Sequence, residues 1–592
     1  MRGPAPELSA EPRPGGRFVR SVLHIPLVLR TVRNLPVRQL LYLVLRRVQQ
    51  KLPGRLGAAP AAAIADRESV LAVALTLVSV RAGARVRAEA ARRHEFAFVG
   101  TRLRLQPIDW GEEYVNPLWT YNLHYFDYAR DLAQTYRETS DDRYLETFQT
   151  LVLDWISRCS PRSAGWQPYP TSLRIVNWVY SLLLLGDALH ADVRATIARS
   201  LAIQAAWLDR RLEYHLGANH LQVNYKALAI AGLYFEGAQA RRWRERGFAG
   251  TWRAVTTQVL ADGVHYERSP MYHAIALGDF LELVAFADAV GEAVSKDVRT
   301  RVREMVRAFG VLSRPDGTLH LFNDAANGIA PGRAELDRMA KAVLGAGMGT
   351  PVGRVALPDA GYWGWIDREQ GMRLVLDCGE PGPKHQPAHA HCDLLSFELD
   401  LGGRPVVVDS GVSGYAGDPL RDYVRSTRAH NTVQLGRREQ SEVWSVFRMG
   451  RHARVTRAQL DSEGPFRFTG AYELHDGSAA HERTFDWDGA RLRVEDRVAG
   501  ADGELVRSFL HFHPDLDVEM VSTHLLVTGN GCRITIRVGG ADRVRVGRGS
   551  EAGLEGWYCP RFGTALAAPV VALESARYDG RVLWYEIVPG NV

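Results

Sequence analysis

Two histidines stand two residues apart in AHAHCDLLSF, His389 and His391, followed by Asp409 in VDSG and His430 in RAHNTV. Imidazole and carboxylate together suit a metal, a proton transfer, or both. Alternate residues of an extended chain share a face, so His389 and His391 are expected on one side of a strand. His391, Asp409 and His430 make a ligand set suited to zinc. Hydrogen bonding within a sheet accounts for the same three residues without a metal. His389 is a candidate proton acceptor, since neutral imidazole is well populated near neutral pH. His385 and His452 compete for that role.

The first half of the chain carries three further clusters of polar and aromatic residues. GANHLQVNYKAL offers Asn219, His220, Gln222 and Asn224 ahead of an amphipathic helix, where Asn219 also reads as a helix cap. DGVHYERSPMYH sets Tyr266, Glu267, Arg268, Tyr272 and His273 around a proline that begins a helix. WQPYPTSLRIVNW supplies Trp166, Tyr169, Arg174, Asn177 and Trp178, a composition suited to stacking on sugar rings and holding an acid group. Core packing explains Trp178 equally well.

These side chains need elements to hold them, and the hydrophobic period changes once along the chain. Residues 1–65 are basic, and VRQLLYLVLRRVQQKL reads as an amphipathic helix that docks on the main body or lies on an acidic membrane surface. Residues 66–355 carry apolar positions three and four apart, which predicts many helices in an α/α toroid or helical array. In residues 356–592 the period becomes two, and turns such as LGGR and YDGR divide the runs. That part is expected to be an antiparallel β-sandwich, making the whole a multidomain α+β protein.

A chain of 592 residues exceeds one ordinary core, and 46% hydrophobic with 24% charged residues is the composition of a folded protein. The formal charge is +6, and the preference for arginine over lysine suits bidentate contact with carboxylate, sulfate or phosphate. Five cysteines without a C-x-x-C pair indicate neither a zinc ribbon nor a disulfide framework. The opening MRGPAPELSAEPRPGG lacks the basic and apolar regions of a secretory signal, which gives the expectation of a cytoplasmic protein, with export by another route open. The apolar run VLAVALTLVSV stops at Arg81, too short to span a bilayer. No nucleic-acid partner is expected.

Taken in order, NLHYFDYARDL, YPTSLRIVNW, GANHLQVNYKAL, DGVHYERSPMYH, HAHCDLLSFEL and VDSG with RAHNTV resemble the heparinase II/III family of polysaccharide lyases, from about residue 100 to the end. The basic leader is similar to those of members found among exopolysaccharide genes. The resemblance implies an α/α toroid, a β-sandwich, and β-elimination at a uronate of an acidic polysaccharide. It implies that Asn219 neutralises the uronate carboxylate, that Tyr272 and His389 move protons, and that His391, Asp409 and His430 hold structural zinc. Trp166, Tyr169, Arg174, His220, Gln222 and Arg268 are the candidate substrate contacts. Two other readings are a non-catalytic polysaccharide-binding protein and a glycoside hydrolase. The latter needs two carboxyl groups across the bond; Glu267, Asp279 and Asp324 are available without an evident pair.

Overall fold

The computed structural model describes residues 25–51, 63–78 and 81–590. Much of the basic leader, residues 1–24 and 52–62, lies outside the described residues. The hydrophobic period is a faithful guide to the two halves. Helices run from Glu68–Val78 to Arg333–Leu344, and strands follow from Gly353–Leu357 to Leu583–Pro589. The first strand of the β half begins at Gly353, so a boundary at 356 falls inside it.

Three helices carry most of the candidate residues of the first half, Pro168–Leu185, Ala218–Tyr234 and Pro270–Ala289, with Trp166 just ahead of the first and Tyr266, Glu267 and Arg268 just ahead of the third. Each is apolar on nearly every face and is buried accordingly. The outer helices Asp142–Arg158 and Lys296–Leu312 are amphipathic, and start on the side-chain caps Asp141 and Ser295. Ala218–Tyr234 packs against Pro168–Leu185 and Ala238–Gln258. The second contact needs glycine, because a Cβ on Gly247 would stand 2.3 Å from the Ala229 nitrogen.

Two of the expected substrate contacts belong to this helical core. Arg174 is fully buried and lies 3.9 Å over the Trp155 ring. It donates from Nε to Gln204 Oε1 at 2.9 Å and from one terminal nitrogen to the Gly165 and His124 carbonyls at 2.8 and 3.2 Å. Burial pushes its guanidinium down to about 9. Trp166 packs on Trp155, with ring centroids 5.6 Å apart, and is 6% exposed. Neither side chain offers substrate a surface, and the sequence reading of both is corrected: aromatic residues beside an arginine serve core stacking as readily as sugar stacking.

The β half holds an antiparallel five-stranded sheet in chain order from Gly353–Leu357 to Arg404–Val407, an eight-stranded sheet and a four-stranded sheet, with shorter two-stranded pairings. Phe397, Phe468, Phe485, Leu510, Leu573 and Tyr585 come from these three sheets and pack into one core. The HAHCD segment is the notable departure. Residues 384–396 form turns and irregular chain between the strands Met372–Asp377 and Phe397–Leu401, so a shared strand face does not explain the two histidines.

The described leader helices Ile25–Arg33 and Val37–Lys51 rest on the main body. Asn34 donates to the Gly450 carbonyl at 3.3 Å, and Tyr42 lies 4.6 Å from the Tyr214 ring. Among the described residues no helix is long and apolar enough to cross a membrane.

Candidate active site

The site is organised by a carboxylate in the loop between the helices Lys296–Leu312 and Arg333–Leu344. Asn323, in left-handed conformation at φ 57°, turns the chain so that Asp324 points inward. Arg421 clamps Asp324 with both terminal nitrogens, one of them at 3.0 Å from Oδ2. His389 Nδ1 lies 3.0 Å from Oδ2, and His391 Nε2 lies 2.9 Å from Oδ1. Burial alone would raise this carboxyl, but the Arg421 charge and the two imidazole hydrogen bonds hold it well below the usual carboxylate range. An ionised carboxylate only accepts, so each histidine donates N–H to it. That fixes both tautomers: His389 keeps its lone pair on Nε2, His391 on Nδ1.

The free face of His389 is where proton transfer is possible. Its ring stacks on Tyr272, with centroids 3.8 Å apart and planes 25° from parallel. Tyr272 stands near the start of Pro270–Ala289, whose cap Ser269 accepts from the Tyr272 amide at 3.3 Å. The Tyr272 hydroxyl meets that of Tyr415 at 2.9 Å. Burial, and then the neighbouring Tyr415, push Tyr272 well above the ordinary tyrosine range, so it is a neutral phenol able to donate a proton. Glu267 Oε1 lies 3.8 Å from His389 Nε2, and neither carboxyl oxygen of Glu267 has a hydrogen-bond partner among the described residues. Burial raises Glu267, against the opposing pull of His389 and His220.

The Asn219 cluster forms the other wall. Asn219 is the second residue of Ala218–Tyr234, with Gly217 at the cap position, so the cap reading does not hold. Its Nδ2 donates to the Tyr169 hydroxyl at 3.3 Å, while the buried Oδ1 has no partner among the described residues. The Tyr169 ring lies 4.6 Å from His220, which approaches Glu213 Oε2 at 3.3 Å through Nδ1. Burial lowers His220, but Glu213 outweighs it and leaves the imidazole above its ordinary value. Asn219, Tyr169 and His220 are thus brought together, and Glu267 acts electrostatically on both His220 and His389.

Two further expected contacts are committed elsewhere. Gln222 is 1% exposed and donates to Asp279 Oδ2 at 3.2 Å, beside the Lys226 ion pair with Asp279. One helical turn beyond the cleft, it faces the core. Arg268, at a positive φ of 56°, spends its terminal nitrogens on the carbonyls of Glu380 and Asp359, tying the helical half to the β half. The carboxylates considered for hydrolysis are also assigned: Asp279 to Lys226 and Asp324 to Arg421. Of the three, only Glu267 is without a hydrogen-bonded partner among the described residues, so no acid and base pair results.

Behind Asp324 lies a group that fits a metal ion. His391, Asp393 and His430 present ligand atoms within 4.8 Å of one another, all buried. His391 Nδ1 and His430 Nε2 are buried without partners among the described residues, while the opposite nitrogens face Asp324 and Asp409. This is the carboxylate–histidine arrangement that orients imidazole lone pairs toward a metal. Asp409, expected as a ligand, instead accepts from His430 Nδ1 at 2.8 Å, and Asp393 stands in the ligand group. Burial and neighbouring carboxylates push Asp393 up to about 6, a cost that a cation would relieve. The sequence reading gives Asp393 no ligand role and does not single out Tyr415 or Arg421. Asp393 was visible as the last residue of HAHCD, but the other two sit in segments with no spacing signal.

Family models, curated proteins and solved structures all show likenesses to this chain. Residues 66–338 match the heparinase II/III N-terminus model and residues 349–584 the heparinase II/III-like C-terminal model. A heparin-sulfate lyase of Pedobacter heparinus is 27% identical over 371 residues, covering 55% of this chain and 54% of that protein. One of Bacteroides thetaiotaomicron is 26% identical over 386 residues, covering 57% and 54%. The matched region thus spans about half the length of these relatives. Among solved structures, one of heparinase III superposes with a TM-score of 0.71 at 17% identity over 95% of this chain and 94% of that one. A mutant heparan sulfate lyase of Pedobacter heparinus gives 0.58 at 20% identity over 87% and 84%. With both of its halves matched by models of one family, the chain belongs to the heparinase II/III family.

Proposed function

We propose that the protein is a polysaccharide lyase that cleaves an acidic, uronate-containing polysaccharide by β-elimination. The observation that carries this reading is the stacked Tyr272–His389 pair, with one group fixed as a neutral donor and the other as a lone-pair acceptor. Heparin-sulfate lyases among the relatives support a uronate-bearing substrate. The helices are proposed to form an incomplete α/α toroid packed on a β-sandwich, and the likeness of the basic leader points to a role in exopolysaccharide processing.

The chemistry follows from the groups present. The C5 proton of a uronate is weakly acidic because its neighbour is an anionic carboxylate, so the developing charge must be stabilised. Asn219, with an amide held against Tyr169, donates to that carboxylate. His389 Nε2 takes the C5 proton, the C4–oxygen bond breaks, and the Tyr272 hydroxyl protonates the leaving oxygen. A C4–C5 double bond forms, leaving an unsaturated uronate and a new chain end. Proton exchange through solvent then returns His389 and Tyr272 to their starting states. His220 and Tyr169 contact the sugar beside Asn219.

His391, Asp393 and His430 would hold a zinc ion, with Asp409 orienting His430. Zinc would supply a fixed cross-link for the loop that carries His389. Asp324, bonded to His389 on one oxygen and His391 on the other, links the base to the histidine of the metal group.

The test is absorbance near 232 nm, where unsaturated uronates absorb, during incubation with a panel of sulfated and unsulfated uronate polysaccharides. A rise abolished by both Tyr272→Phe and His389→Ala is expected. Reducing ends without that rise would mean hydrolysis, and binding without either product would mean a binding protein.

A further inference from the structure

A second polar cavity lies outside the proton-transfer site, where the leader helix Val37–Lys51 meets the turn after Ala191–Asp209. It has a volume of about 160 Å³, and its walls include Tyr42, Arg46, Arg210, Arg211, Tyr214 and Arg246. Among the described residues four arginines and His215 face it against one aspartate, Asp209. Only Arg246 among the described residues uses that aspartate, and its other terminal nitrogen donates to the Tyr214 hydroxyl at 3.0 Å. Arg211 lies 4.7 Å over the Trp207 ring. Among the described residues Arg46, Arg210 and Arg211 form no salt bridge, although burial and the charges of Arg46 and Arg210 push Arg211 down.

Glu213 offsets part of the Arg46 charge, whereas Arg211 is pushed down by Arg46 and Arg210 with no acidic group among the described residues acting on it, so an anion at that point would relieve the repulsion among the three. The place of the cavity says which anion. Arg210 and Arg211 begin the segment that continues through Glu213, bonded to His220, and ends at Asn219 on the cleft wall. The leader closes on the same segment, since Gln39 lies against Gly217. The cavity therefore lies on the segment that leads to the cleft wall, and the Tyr42–Tyr214 pair, packed ring on ring with Arg38 over both, fixes the shape of its wall.

We propose that this cavity is a remote subsite that binds an anionic group, carboxylate or O-sulfate, of the polysaccharide on a sugar outside the scissile pair. The proposal rests on the reading of the cleft as a site for an acidic polysaccharide. It gives the leader helix a function, since Arg46 and Tyr42 form one wall of the subsite. A concave, arginine-lined cavity of this size suits one charged sugar better than a lipid surface. The exposed Leu41 and Val44 on the outer face of the same helix make lipid the competing occupant.

The experiment uses the full chain carrying Tyr272→Phe, so that bound oligosaccharide is not consumed. Binding is measured calorimetrically for octasaccharides of heparan sulfate and of hyaluronan, for a neutral dextran octasaccharide, and for phosphatidylglycerol vesicles. Adding Arg46→Ala with Arg211→Ala should weaken binding of one or both acidic octasaccharides at least tenfold. It should also flatten the dependence of affinity on salt, with dextran unbound throughout. Heparan sulfate and hyaluronan arms separate sulfate from carboxylate recognition. If the double variant melts early, the exposed Arg210→Glu replaces it, with the same expectation. Unchanged affinity, no binding of either acidic octasaccharide by the parent, or an effect confined to vesicles would overturn the proposal. Absence of 232 nm product from the unmutated chain alongside arginine-dependent binding would remove the lyase reading and leave the subsite standing.

Discussion

Replacing Asp324 with asparagine tests the organisation of the site at its centre. The native carboxylate accepts from His389 on one oxygen and from His391 on the other, and neutralises the 1% exposed Arg421. An amide has one acceptor oxygen and one donor nitrogen, so one histidine must reverse its tautomer. If His389 reverses, Nε2 carries the proton and no base faces the substrate. In the serine-protease triad the same change, asparagine for the aspartate that orients the histidine, costs about 10⁴ in turnover, so a loss of at least about 10³-fold is expected here. Leaving the Arg421 charge buried and unpaired costs about 3–5 kcal/mol, enough to lower the melting temperature visibly in a protein of ordinary stability. The assay pairs initial rates at 232 nm with a melting curve and a circular dichroism spectrum at the assay temperature. A folded variant within tenfold of the wild-type rate would mean that His389 keeps its lone pair on Nε2 without the carboxylate and would refute the role given to Asp324 in fixing the base, and normal melting would refute the charge argument.

Three other outcomes follow from the geometry. Metal analysis of the purified protein should find one zinc per chain, lost in Asp393→Asn and His430→Ala. It should be retained with about 10–100-fold weaker affinity in Asp409→Asn; zinc dependent on Asp409 and indifferent to Asp393 would restore the ligand set expected from sequence. Arg174→Met should destabilise the helical core, by about 2–4 kcal/mol on removal of the bonded guanidinium, without altering the KM of the folded fraction. A large KM change at unaltered stability would return Arg174 to the substrate. Glu267 has a folded pKa raised above 4.5 by burial, so the native state holds its proton more tightly than the unfolded chain does. Its contribution to stability is therefore lost as pH rises from the unfolded pKa toward the folded one. Glu267→Gln should be progressively more stable than wild type over that interval in pH-dependent denaturant titrations, and parallel profiles would contradict the burial assignment.

The sequence by itself determined the two halves, because hydrophobic period is a local property: three and four in TSLRIVNWVYSLLLL, two in LLSFELDLGGRPVVV. It also marked Asn219, Tyr272 and His389 as candidates through the family resemblance of short motifs. Only the tertiary structure decided which side chains face one another. Arg174 and Gln222 share motifs with cleft residues, yet their positions on the helix turn them toward Gln204 and Asp279. A strand period suggested that His389 and His391 share a face, whereas irregular chain sets them on two oxygens of Asp324, a residue 65 positions from His389. The placing of Asp393, rather than Asp409, within reach of the two free imidazole nitrogens has the same origin. Ligand identity depends on which nitrogen each imidazole leaves free, and that is set by hydrogen bonds from distant segments rather than by neighbours in the chain.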